Sequence, residues 1–424
     1  FLILYILYYL IFLYICHMKT RANYSKIENH LTKKEFTILI GARQIGKSTL
    51  LKQLYENLLK VNKPAYFINL DRKEILIELN KNPLNIFDFF PLIENERITV
   101  FIDEIQYLND PTGFLKLLYD EYGERIKIVA TGSSAFYMDK NFKDSLVGRK
   151  KIFEMLTLTF QEFLDFKDRH EILKELIQLK TSQKKKSLFE NELWSLLDEY
   201  CNYGSYPAVV LEKSIDNKKE LLHEIKDSYI KRDVLESNIR DEDKFYKLMM
   251  LLANQSGQLL NNHELSKTLR VSNVTIENYL FVLQKCFHLH LIKPFYNNLN
   301  KELVKMPKVY FNDLGLRNIL LNYFAPIENR IDKGALFENL VYRQMVDVVK
   351  KEQIKFWRTT AGNEIDFVVE QSALKGLAFE CKFNLNSVNA KKYELFKENY
   401  PKIPFEFLSW RDLSLFKKLN IQSD

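Results

Sequence analysis

Gly41-Ala-Arg-Gln-Ile-Gly-Lys-Ser-Thr49 fits the pattern GxxxxGK[ST], and its neighbours decide how it is read. An apolar run, Phe36-Thr-Ile-Leu-Ile40, precedes it, and a helical pattern from Thr49 to Tyr55 follows. Strand, glycine loop and helix in that order describe a phosphate-binding loop. Gly41 and Gly46 let the backbone through Ala42, Arg43, Gln44 and Ile45 wrap closely enough for its N–H groups to face phosphate oxygens. Lys47 then bridges the β- and γ-phosphates, the Ser48 hydroxyl ligates Mg²⁺, and the helix opening at Thr49 adds a favourable dipole. ATP and Mg²⁺ are the implied ligands. An ordinary glycine turn is the plainer alternative, and the complete pattern in this context argues against it.

Outward from the loop, Ala65 to Leu70 reads as a second buried strand. Ile98 to Ile102 is apolar and β-branched, as an interior parallel strand is, and it ends in Asp103-Glu104. An apolar strand closing on two acids is the Walker B pattern. Asp103 is expected to hold magnesium through water and Glu104 to polarise the attacking water. A fourth strand, Ile126 to Ala130, leads into Thr131-Gly-Ser-Ser134, where Ser133 or Ser134 is the candidate γ-phosphate sensor; a plain serine turn is the alternative. Arg149 is a candidate finger for the nucleotide of its own or a neighbouring subunit, or simply a surface arginine. A fifth strand is expected over Ile152 to Leu158. Strands alternating with helical patterns give an α/β fold with a doubly wound parallel sheet and its ligand at the strand C-termini.

Downstream, Phe160 to Leu179, Leu188 to Tyr200 and His223 to Leu235 are helical patterns. The spacing of Asn262–Leu269 and Val274–Cys286 is that of a helix-turn-helix, with Leu291–Tyr296 and Val309–Phe311 as the strands of a wing. In a DNA-binding module Ser272, Asn273, Thr275 and Asn278 would face the groove. That face is poor in Lys and Arg, which supply most DNA affinity, so a packing module fits equally.

The last hundred residues hold a second constellation. A helix opens at Gly334 with Glu338 in it; Asp366 lies inside the strand Glu364–Val369; Glu380 and Lys382 lie in Leu377–Lys382. Residues at i and i+2 share one strand face, so Glu380 and Lys382 point together. Charges inside apolar strands are costly unless they serve each other or a metal. Asp366 and Glu380, with Glu338 completing or orienting the set, are candidate Mg²⁺ ligands, and Lys382 is the candidate that positions a water nucleophile or stabilises the phosphorane-like charge. A buried salt bridge is the alternative.

Composition bounds these readings. A hydrophobic content of 46% supports sizeable cores, and a net charge of +7 permits a nucleic-acid partner without demanding one. The four cysteines, Cys16, Cys201, Cys286 and Cys381, are scattered with no CxxC pair, which suggests neither zinc nor disulfides and fits a cytoplasmic setting. Phe1 to Cys16 is apolar and uncharged, yet shorter than the roughly 20 residues of a spanning helix and without a basic lead-in. Met18, followed by Lys19-Thr-Arg21, is the expected start. Membrane contact follows only if residues 1–16 are genuine.

GARQIGKST, FIDEIQYL, ATGSSA, SLVGRK and LTLTFQEFL, in that order, resemble a family of archaeal and bacterial AAA-type ATPases. The resemblance implies an ATPase with an extra strand between the loop strand and the acidic strand. It carries Lys47, Ser48, Asp103 and Glu104 onto the roles given above, with the Ser133 region as sensor and Arg149 as a family arginine. It also implies a C-terminal domain similar to restriction endonucleases, with this Glu, Asp and Glu-x-Lys set. Where the family loop often has Pro-Arg-Gln, this chain has Ala42-Arg43-Gln44. The expected divisions are a doubtful extension (1–17), the ATPase domain (18–160), a helical lid (161–240), a winged helix-turn-helix region (241–330) and a nuclease-like domain (331–424). The leading expectation is an ATPase whose nucleotide state controls a DNA-directed or nuclease-like region. The alternative is a nucleotide-dependent switch whose C-terminal domains bind protein partners or further copies of the chain.

Overall fold

The computed structural model describes residues 19–132, 146–179, 186–237, 239–296, 306–372, 375–385 and 390–418. They group into two compact units. One holds residues 19–40, 46–132 and 146–155; the other holds 41–45 and everything from 156 onward.

The first unit is built on five strands: β1 (Phe36–Gly41), β2 (Ala65–Asn69), β3 (Ile98–Asp103), β4 (Ile126–Gly132) and β5 (Lys150–Met155). Their order is β2-β3-β4-β1-β5, so β4 separates the acidic strand from the loop strand. The pairings β2/β3, β3/β4 and β1/β4 are parallel. Every residue of β1 and β4 is buried, as expected for strands covered on both faces. Even Lys127 is fully buried; its ammonium donates to the carbonyls of His30 (2.9 Å) and Lys33 (3.2 Å) and to that of Glu35. Helix α1 (Lys47–Lys60) follows the loop, and α2 (Pro111–Tyr122), capped by Asp110 and started by Pro111, leads into β4. The fifth strand begins and ends earlier than the expected Ile152–Leu158.

The second unit carries a six-stranded sheet: β6 (Leu289–Pro294), β7 (Lys308–Phe311), β8 (Ile354–Arg358), β9 (Glu364–Ser372), β10 (Lys375–Lys382) and β11 (Phe405–Ser409), in the order β11-β10-β9-β8-β6-β7. Helices α3 (Asn262–Leu269) and α4 (Asn273–Lys285) follow one another across a short turn. Asn261 caps α3, Arg270 turns the chain in the left-handed region at φ 53°, and the Ser272 hydroxyl accepts from Thr275 N at 3.0 Å. The expected wing strands exist as the antiparallel pair β6/β7, but they are not a free wing. β6 also pairs with β8 through Lys293↔Lys355 and Pro294↔Phe356 and so joins the C-terminal sheet. One apolar core runs from Leu158 through Trp194 and Tyr310 to Phe379 and Phe416, across the expected divisions at 240 and 330.

Phe160 to Leu179, expected as one helix, is two: Phe160–Phe166 and His170–Leu179. Asp168 at φ 57° breaks it, while the capping box of Thr159 and Glu162 fixes its start. Helix α5 (Lys333–Met345) packs beside the sheet. Its buried Asn339 donates to Phe311 O (2.8 Å) and accepts from Phe311 N (3.0 Å), clipping the helix to β7. No helix of the described residues is long and apolar enough to cross a membrane.

Candidate functional sites

The phosphate loop is set by backbone geometry. Gly46 caps α1 at φ 92°, a left-handed conformation that side chains rarely adopt. The helix starts at Lys47, which is 5% exposed, and Ser48 follows on its first turn. Ser48 Oγ donates to Asp103 Oδ1 at 3.0 Å, so the hydroxyl expected on the metal touches the acid expected on the metal. Asp103 also accepts from the Thr131 hydroxyl at the tip of β4. Thr131 Oγ1 in turn accepts from Glu104 N at 3.0 Å. Glu104 itself stands at φ 61°, strained for a non-glycine residue, and its carboxylate accepts from the Gln106 side chain. A hydroxyl and a carboxylate adjacent at the head of a phosphate loop are the donor set Mg²⁺ uses, so the residues present fit that ion. In the loop, Ala42 and Ile45 are buried, Gln44 and Thr49 are exposed, and Arg43 donates to Glu236 near the end of the long helix Ile215–Glu236.

Arg149 lies elsewhere. Its carbonyl accepts from Phe36 N at 2.8 Å, at the start of β1, whereas the loop leaves the end of that six-residue strand, roughly 15–20 Å away. Its guanidinium grips Asp120 of α2 in two bonds, 2.6 and 3.1 Å long. The chain therefore does not bring Arg149 to its own phosphate loop. Ser133 and Ser134 fall outside the described residues; the polar strand-tip residue the structure does show is Thr131.

In the second unit the structure brings Glu338, Asp366, Glu380 and Lys382 together. Asp366 and Glu380 sit one step beyond the cross-strand pair Phe367↔Phe379. Asp366 Oδ2 accepts from Cys381 N (2.9 Å), and Asp366 N donates to Glu380 Oε2 (3.3 Å). Lys382 Nζ donates to Glu380 Oε1 at 2.6 Å, and the Tyr393 hydroxyl donates to the same oxygen at 3.0 Å. A further cation stands among the acids. Lys308 of β7, 2% exposed, places its Nζ 3.0 Å from Glu338 Oε1 and 3.6 Å from Asp366 Oδ1, and ion-paired with Glu364. The Tyr310 hydroxyl, two residues along the same strand face, donates to Glu338, and Arg358 takes the other Glu364 oxygen.

The electrostatics follow from burial. Burial would lower the Lys308 ammonium, but Glu338, Asp366 and Glu364 outweigh it and hold the group above its ordinary value. Burial, and then Asp366, push both Glu338 and Glu380 up to about 7 against the pull of their lysines. Glu364 is held below its usual range: burial would raise it, and Lys308 and Arg358 prevail. Among the described residues no group of three or more His, Cys, Asp or Glu stands in an arrangement that holds a metal ion. As arranged, Glu338, Asp366 and Glu380 do not fit the Mg²⁺ expected there, because the ammonium of Lys308 lies between two of them and the oxygens face protein donors.

The sequence reading missed Lys308, Tyr310, Glu364 and Thr131. The signal for the first two was present: Lys308-Val-Tyr-Phe311 puts a charge into an apolar strand, the same cost that drew attention to Asp366.

Residues 33–164 match an AAA domain, residues 195–326 a domain of unknown function (DUF8612), and residues 333–410 another domain of unknown function (DUF4143). The chain is 28% identical over 374 residues to an uncharacterized protein of Methanocaldococcus jannaschii, covering 84% of this chain and 76% of that one. It is 27% identical over 407 residues to an uncharacterized protein of Haemophilus influenzae, covering 91% and 92% respectively. A solved structure it resembles distantly is that of a Thermotoga maritima RuvB variant: TM-score 0.33, 17% identity, 64% of this chain and 89% of that one. The span that carries the phosphate loop and the acidic strand is thus the one that matches an AAA domain.

Proposed function

We propose that this protein is a Mg²⁺-dependent ATPase whose nucleotide state acts on its own C-terminal unit. The observation that supports this best is the chain Ser48–Asp103–Thr131–Glu104, which ties the first turn after the phosphate loop to the acid pair. Lys47 and the loop N–H groups bind the phosphates. Ser48 and Asp103 would hold Mg²⁺, which when bound neutralises charge on the phosphates. Glu104, fixed through its backbone N–H and through Gln106, orients the attacking water and accepts its proton. Thr131 holds Asp103 in place and senses the γ-phosphate side in the role expected of Ser133.

ATP binding and turnover of the full chain test this reading. Lys47→Ala is expected to raise the Kd for ATP by about 100-fold or more. Glu104→Gln is expected to keep binding and lose turnover by about 100-fold or more. Full turnover in Glu104→Gln would refute the assignment of the base.

For the C-terminal unit, the protein-donor shell around the acids favours the switch reading, in which this unit binds a partner, over cleavage by Asp366, Glu380 and Lys382. Incubation with plasmid DNA and Mg²⁺ or Mn²⁺, with and without ATP, separates the two. No cleavage is expected; cleavage that disappears in Asp366→Ala would restore the nuclease reading.

A further inference from the structure

We infer that Lys308 is the resident cation of the C-terminal carboxylate cluster, standing where a divalent ion would otherwise bind, so that the nucleotide-free chain takes no divalent metal there. Three carboxylates from two elements, Glu338 of α5 and Glu364 and Asp366 of β9, converge on one ammonium. A hard divalent cation needs oxygens at about 2.0–2.6 Å with lone pairs turned toward it. Here each carboxylate already serves protein donors: Lys308 and Tyr310 on Glu338, Lys308 and Arg358 on Glu364, Lys308 and Cys381 N on Asp366.

The ammonium is not free to swing aside. Its strand is held on both edges: on one, Leu260 N donates to Pro307 O and Gly257 N to Val309 O, each at 2.8 Å, and on the other it pairs with β6. Its Nζ also lies 5.6 Å from the centre of the Phe356 ring. The far side of Glu338 is closed as well. Gly257, at φ 80°, packs so closely that a Cβ there would stand 3.2–3.3 Å from the Glu338 carboxylate. Backbone thus packs directly against one face of the Glu338 carboxylate. A second positive charge inside this shell would meet the lysine at close range in a poorly solvated space. Removing the lysine would leave three carboxylates around an emptied volume, which is the donor chemistry of a Mg²⁺ or Mn²⁺ site.

The test is Mn²⁺ binding alone, without nucleotide, to the full chain, read by electron paramagnetic resonance. Wild type is expected to show no Asp366-dependent site tighter than about 1 mM, any Ser48-dependent Mn²⁺ being assigned to the phosphate loop, and Lys308→Ala to gain one Asp366-dependent site at least about tenfold tighter. A folded Lys308→Ala that binds no Mn²⁺ would overturn the inference. So would one Mn²⁺ on wild type that is lost in Asp366→Asn and kept in Ser48→Ala. If Lys308→Ala does not fold by circular dichroism, the wild-type arm decides: no Mn²⁺ sustains the inference, and an Asp366-dependent Mn²⁺ ends it. The phosphate-loop reading is scored separately, by ATP turnover of the same preparations, and its failure leaves the Mn²⁺ result unchanged.

Discussion

The two acidic clusters of this chain are built on opposite plans. In the first unit Asp103 is met by the hydroxyls of Ser48 and Thr131, neutral donors that orient a carboxylate without cancelling its charge. In the second, Glu338, Glu364, Asp366 and Glu380 are met by the charges of Lys308, Arg358 and Lys382. The first arrangement is prepared to receive a cation from outside. The second has already received its cations from the chain. A carboxylate cluster is therefore no sign of a metal until its counter-charges are known.

Breaking the second plan is expected to cost most. Lys308→Ala leaves buried carboxylates uncompensated and is expected to lower stability by about 3–5 kcal/mol in chemical denaturation. A loss below about 1 kcal/mol would mean that the cluster does not depend on this ammonium. Acidity gives a second handle. Glu380 is raised in the folded state above its unfolded value, so the folded chain binds the extra proton between about 4.5 and 7. The stability this provides is full below the unfolded value and is lost as pH rises through about 7. Glu380→Gln is expected to flatten that slope, by on the order of 2–3 kcal/mol between about pH 5 and 8, in unfolding followed across pH. An unchanged slope would remove Glu380 as its origin.

The first plan is tested by smaller effects. Thr131→Val keeps the shape and removes the hydroxyl that Asp103 and Glu104 share. About a tenfold higher Mg²⁺ requirement for ATP turnover is expected, with nucleotide binding retained. An unaltered Mg²⁺ dependence would take Thr131 out of the site. Arg149→Ala, which removes an exposed pair with Asp120, is expected to leave the unfolding midpoint in place. A fall in turnover confined to protein concentrations at which copies associate would give Arg149 a role on a neighbouring nucleotide; a fall in the dilute chain would contradict its place at the far end of β1.

Much of this was legible in the sequence where the signal is local. The buried strands Phe36–Gly41, Ile98–Asp103 and Ile126–Gly132 follow from short, mostly apolar runs, and the phosphate loop from its glycines and flanks. The two helices Asn262–Leu269 and Asn273–Lys285 were readable from their spacing, because the caps and turn between them are short-range. What was hidden is long-range. The pairing of Lys293 with Lys355 joins segments some sixty residues apart, with nothing local to announce it. Once β6 and β7 were read as a separate wing, Lys308 belonged to another domain, and its partnership with Glu338, Glu364 and Asp366 was out of view. Arg149 was hard to place for another reason: sequence order puts it after the acidic strand but does not say at which end of the sheet.

The β6/β8 pairing also governs how this chain tolerates being cut. A fragment limited to residues 333–410, the span that matches a domain model of its own, would lose the neighbour of β8 and uncover a row of backbone N–H and C=O groups. It would also keep the acids of α5, β9 and β10 while leaving Lys308 behind. Such a piece would be sticky along one edge and overcharged in its interior. A cut placed before Gly257 keeps strand, lysine and acids on the same molecule, at the cost of dividing the apolar core that runs back to Leu158.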